Sequence, residues 1–125
     1  MHQGVRSLWV TEISSAKHWK ADPAFDQLIE GRFSKLHDSA VRGELFEWRV
    51  ELAGRLAEII VLDQFSRNLY RNSALAFAAA PMALALAQEA IALKVDQALA
   101  PAQRVFLYTP FMASSLYSPF VCGKR

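Results

Sequence analysis

Two opposite charges one helical turn apart are the residues of this chain best placed to do chemistry. Asp63 and Arg67 lie in the run Leu62-Asp63-Gln64-Phe65-Ser66-Arg67-Asn68-Leu69-Tyr70-Arg71. At about 100° per residue they project to nearly the same side of a helix, acid before base, which is the favourable order for an ion pair. Leu56, Ile59 and Ile60 flank that side, so the pair is expected among aliphatic side chains. On an exposed helix it is worth only a few tenths of a kcal/mol. In a dry interior, loss of one partner costs about 3–5 kcal/mol because the other charge is stranded.

Gln64, Arg67 and Arg71 continue this pair as a polar stripe along the edge of the apolar face. Two chemistries suit the set Asp63, Gln64, Arg67, Asn68 and Arg71. One is a structural ion-pair network that fixes how helices dock, since buried charges are normally paired. The other is a ligand site, in which Arg67 and Arg71 grip a carboxylate or phosphate in two-point fashion and Asp63 orients them.

Nothing else in the chain assembles a reaction. His2, His18 and His37 are far apart, with no carboxylate or cysteine at ligand spacing, and read as surface or capping residues rather than a tetrahedral metal set. Ser66 has no histidine near it in sequence and is a poor nucleophile candidate. Cys122 is the only cysteine, so no disulfide within the chain and no thiolate cluster is available. There is no glycine-rich phosphate loop, nucleophile elbow or zinc-protease helix motif. No catalytic residue, cofactor or metal is expected, and the balance leans against an enzyme.

The elements that must hold the stripe are helices. Asp22-Pro23 is an N-cap followed by proline in the first helical position. From there Phe25, Leu28, Ile29, Phe33 and Leu36 recur at helical spacing, and Asp26, Gln27, Glu30, Arg32 and Lys35 take the other face. Gly43 is suited to close that helix in the left-handed conformation. A second helix runs from about Val50 to about Tyr70. It is apolar on nearly all sides and so must be covered on nearly all sides, which makes it the centre of the fold.

Ser73 reads as the N-cap of a third helical region, Ala74 to Lys94, rich in alanine and interrupted at Pro81. A last region opens at Pro101 and reaches Pro110, where a separate short helix to about Leu116 is expected, followed by a tail from Ser118 to Arg125. The first stretch, Met1 to Ser15, carries Leu8, Trp9 and Ile13 with weak periodicity. Trp9, Trp19 and Trp48 read as large core fillers. Strand patterning and hairpin turns are nearly absent. The expected fold is a small all-α domain of helical hairpins.

Its 125 residues suit one domain, with a core from about residue 8 to 116. Lys and Arg are spread along the chain and the net charge is only +2, which disfavours a nucleic-acid interface. No signal peptide is visible. The longest uncharged run, Asn72 to Gln88, is too short for a membrane span. A cytoplasmic setting is the expectation.

The signature run from Leu62 to Asn68 resembles that of the bacterial family catalogued as domain of unknown function 924. Trp19, Phe25-Asp26, Ile29 and Phe33 resemble its N-terminal pattern. Ala76-Phe77-Ala78 and Phe106-Leu107-Tyr108-Thr109-Pro110-Phe111-Met112 resemble its later blocks. The resemblance implies a tetratricopeptide-like helical fold and no established activity.

The chain departs from that pattern where the family has proline (here Ser66), where it favours glycine (Asn72) and where it has an acid (Ala80). It departs again where relatives continue with His, Ser and Glu (Ala113, Ser114, Ser115). Relatives usually extend further, so this chain reads as a shortened member with a diverged C-terminal end. Apolar surface left uncovered in such a member implies association, most simply a symmetric homodimer. A peptide or other protein partner is also compatible. The functional expectation is therefore a non-enzymatic interaction or self-association module, with an anionic small ligand at the stripe as the alternative.

Overall fold

The computed structural model describes Val5, residues 23–71 and residues 73–113. The expectations for Leu8, Trp9, Ile13, Trp19, His2, His18, Asp22, Asn72, Cys122 and the tail lie outside the described residues.

Helix α1, Pro23–Val41, buries Phe25, Ile29, Phe33, His37 and Ala40. That four-residue rhythm is a single apolar face. Gly43 ends it at φ 77°, a conformation that suits glycine because it has no Cβ. Gly43 N–H donates to Ala40 O and Glu44 N–H to Ser39 O, the paired bonds of a left-handed C-cap.

A 3-10 turn, Phe46–Val50, follows and lies directly on the next helix at Gly54. A Cβ at that glycine would sit 2.0 Å from Trp48 O. The turn is clamped there by Arg49, whose guanidinium donates two 2.9 Å hydrogen bonds to the fully buried Glu58 carboxylate.

Helix α2 is built of three consecutive segments: an α-helix Leu52–Ile60, a π-helical stretch Val61–Phe65 and a last α turn Ser66–Leu69. Every residue from Leu56 to Ser66 is buried. α1, the 3-10 turn and the two helices that follow pack around it. The expectation of a central helix covered on nearly all sides describes what is observed.

Ser73 caps a short 3-10 turn, Ala74–Phe77, by accepting a hydrogen bond from Leu75 N–H. Helix α3, Ala80–Ala92, begins after a break, with Pro81 in its first turn. The proline therefore starts the helix, where its missing N–H costs nothing. Ala83, Ala87 and Ala90 are wholly buried; such small side chains allow close approach of neighbouring helices. By length and composition Ala74–Ala92 (19 residues, mean hydropathy 1.6) is apolar enough to cross a membrane. This differs from the expectation drawn from the uncharged run. The stretch is nonetheless two helices, broken at Ala78 and Ala79, with its inward alanines used in the core.

After a 3-10 turn, Val95–Ala98, helix α4 runs unbroken from Pro101 to Ala113 with Pro110 inside it. The expected boundary at Pro110 is thus corrected. Proline removes the bond its N–H would make to the carbonyl four residues back, Phe106 O, and the Thr109 hydroxyl, 2.9 Å away, supplies a donor there. Among the described residues there is no strand, and the class is all-α.

Candidate functional site

The π-helical stretch carries Asp63 and Gln64 into the interior, both 3% exposed. Single π turns inside α-helices are frequent at functional sites. Asp63 Oδ1 accepts a 3.1 Å hydrogen bond from Arg67 Nη2. Its Oδ2 accepts from Gln64 Nε2 at 3.1 Å and from the Thr109 hydroxyl at 2.8 Å. Gln64 Nε2 also reaches Thr109 Oγ1 at 3.1 Å. The expected i, i+4 pair is present within α2, and the bonds of Asp63 and Gln64 to Thr109 tie α2 to α4.

Burial pushes the Asp63 carboxyl above the usual carboxylate range, against the opposing pull of Arg67 and the three hydrogen bonds. Thr109 has one hydroxyl proton and two acceptors, Asp63 Oδ2 and Phe106 O. Protonation of Asp63 resolves that competition, because the acid then donates to Thr109 and Thr109 to Phe106 O.

Arg67 is the stripe's partial opening to solvent. Its side chain is 29% exposed, and its guanidinium carbon lies 5.6 Å from the centre of the Phe77 ring, a cation–π distance. Arg71 and Asn68 do not join Asp63. They converge instead on Asp26 of α1. Arg71 Nε and Nη2 donate to the two carboxylate oxygens at 2.7 and 2.9 Å, and Asn68 Nδ2 donates at 2.9 Å. The Arg71 hydrogen bonds hold the Asp26 carboxyl below its usual range. Sequence spacing put Asp26 on the solvated face of α1 and missed this role, which depends on how α1 crosses the end of α2.

His37 is the principal correction. Its place in the sequence suggests the surface, but it is 4% exposed and its Nε2 lies 2.7 Å from Ser66 Oγ. A signal of burial exists, because His37 continues the four-residue series Phe25, Ile29, Phe33 on the buried face.

A serine hydroxyl at this distance from an imidazole is geometry used in acyl transfer. Here the Ser66 proton goes to Leu62 O at 2.6 Å. Ser66 Oγ therefore accepts from His37 Nε2–H, and the nitrogen facing the serine cannot act as its base. The other nitrogen, Nδ1, is buried without a partner, so nothing orients the ring as a third catalytic residue would. Burial pushes the His37 pKa down. The contact holds α1 to α2 and sets beside Ser66 the histidine that its neighbours in sequence lack.

His37 and Ser66 both border a pocket of about 280 Å³. Val41, Tyr70, Leu75, Ala78 and Ala79 form much of its wall, and Asp38 and Arg42 contribute charge. Among the described residues no group of three or more His, Cys, Asp or Glu side chains could hold a metal ion.

Comparison with a protein of unknown function from Agrobacterium tumefaciens gives a TM-score of 0.86 at 35% sequence identity. The match covers 90% of this chain, which spans 64% of that protein. No curated protein matches the chain. Residues 5–117 match the family described as bacterial protein of unknown function (DUF924). A match of that extent, on a shared helical fold, makes this chain a member of the DUF924 family.

Proposed function

We propose that this domain is a non-enzymatic, cytoplasmic interaction module of tetratricopeptide-like architecture that associates with a second copy of itself. The observation that carries the reading is a division of labour among side chains. Asp63, Gln64 and Arg71 are taken up by internal pairing, Arg67 and Asn68 in part, while apolar side chains around an open pocket face outward. Val41 and Leu75 line that pocket and are 48% and 56% exposed, and Phe77, on the same 3-10 turn as Leu75, is also exposed. Apolar surface gathered around a concavity marks an association site.

Light scattering on a sizing column tests the proposal. A dimer mass at micromolar concentration is expected, and a monomer throughout that range overturns it.

An anion held by Arg67 and Arg71 is the weaker reading. Arg71 is already gripped in two-point fashion by Asp26, and Arg67 bonds to Asp63. An anion bridging the two arginines would have to break the two-point pair between Arg71 and Asp26.

A further inference from the structure

The two ends of α3 carry complementary features, and they name the contact that self-association would use; the dimer geometry they define rests on the self-association reading. At the start of α3 lies the pocket, reached by Ala78, Ala79 and Leu75. Asp38 also lines it, and its carboxylate is engaged in no ion pair or side-chain hydrogen bond with any described residue.

At the far end Leu93 is 56% exposed. Lys94 follows it, exposed, at φ 61° and also without an ion pair among the described residues. The other exposed large apolar residues beside a cation differ. Arg42 after Val41 is held by Glu44, Arg49 before Val50 by Glu58, and Arg104 before Val105 by backbone carbonyls. Leu93-Lys94 therefore offers an apolar side chain with a free cation, and the pocket offers an apolar hole with a free carboxylate.

The face between them allows both contacts to form at once. Pro81, Ala85, Gln88 and Ala92 are exposed along α3, spaced four, three and four residues apart, as in a seam between two helices. Place two α3 helices antiparallel about a two-fold axis between Leu86 and Ala87. Ala92 of one copy then lies opposite Pro81 of the other, and Gln88 opposite Ala85. The same register brings the Leu93 end of each copy to the Ala80 end of the other, next to Ala79 at the pocket's edge, with Lys94 just beyond. The two contacts are about 20 Å apart, the length of a 13-residue helix.

We infer that α3 is the seam of a two-fold homodimer in which Leu93 of each copy enters the other's pocket and Lys94 pairs with Asp38. The contact is isologous and closed, so it stops at two copies.

Reversing the charges tests it. Asp38 and Lys94 are both exposed, so Asp38→Lys, Lys94→Glu and the double variant are compared at equal thermal stability, with the dimer dissociation constant measured by sedimentation. Each single reversal occurs twice per dimer and is expected to weaken association about tenfold. The double variant, which restores opposite charges, is expected to return to within about threefold of wild type. Singles that dimerise like wild type, or a double variant without recovery, overturn this geometry while leaving self-association intact. A wild-type chain that is monomeric overturns both.

Discussion

Asp63 and Asp26 have the same kinds of partner, an arginine and a side-chain amide, yet their acidities move in opposite directions. Asp63 lies in the closed middle of α2 and is raised, with burial as the largest cause. Asp26 lies at the edge of α1 and is lowered, with the Arg71 hydrogen bonds as the largest cause. The contrast is one of solvent and geometry. Arg71 meets Asp26 with two parallel donors where water still reaches both, whereas Arg67 meets Asp63 with one donor where water reaches the arginine but not the carboxylate. An ion pair is therefore not a unit of stability; its surroundings decide what it contributes.

Breaking the interior pair should have the largest effect. Asp63→Ala leaves Arg67, Gln64 and Thr109 without their shared acceptor. It is expected to cost about 3 kcal/mol, the lower end for a buried pair because Arg67 still reaches solvent. That corresponds to a fall of roughly 10 °C in Tm by calorimetry. An unchanged Tm would mean that Asp63 is not a structural residue.

Asp26→Ala removes the outer pair and should cost about 1 kcal/mol by urea titration, since its arginine regains water. If it proves costlier than Asp63→Ala, the contrast between interior and edge is reversed.

Acid sharpens the comparison. Asp26, with its folded pKa depressed, contributes stability that is present above 3.8 and lost as pH falls through the folded value. Asp63, with its folded pKa raised, does the opposite, so the fold gains from that site as pH falls through its raised value toward 3.8. In denaturation series run toward acid, Asp26→Asn should flatten the loss and Asp63→Asn should steepen it. Matching slopes in the two variants would remove the distinction.

The smallest effect concerns His37. Its folded pKa is lowered, so the unfolded chain takes the proton first. Stability is complete above 6.5 and declines as pH drops through that value toward the folded pKa. His37→Phe should abolish this slope; a slope that survives would assign it to another group.

Much of the fold is legible in local spacing. The apolar rhythm of α1, Gly43 as its stop, Ser73 as a cap and the burial of Asp63 beside Arg67 all follow from it. What escapes depends on distant partners. The contact between His37 and Ser66 spans 29 positions and that between Asp26 and Arg71 spans 45, and helical periodicity shows which way a side chain faces, not what it meets. The π turn escapes as well, since Val61 to Phe65 has the residue types of an ordinary buried helix. Pro110 misleads for a specific reason: the Thr109 hydroxyl beside it lies within hydrogen-bond reach of the carbonyl that proline leaves without its helical donor.

The contact of Gly54 with Trp48 O makes one hydrogen atom decisive. Exchanging it for a methyl group would lift the Phe46–Val50 turn from α2 and draw the Arg49 guanidinium away from Glu58. That would maroon an anion in grease, several residues from the alteration. Position 54 is thus the latch between that turn and α2, and a side chain there should be tolerated far less than one at Gly31, where nothing lies within 4 Å.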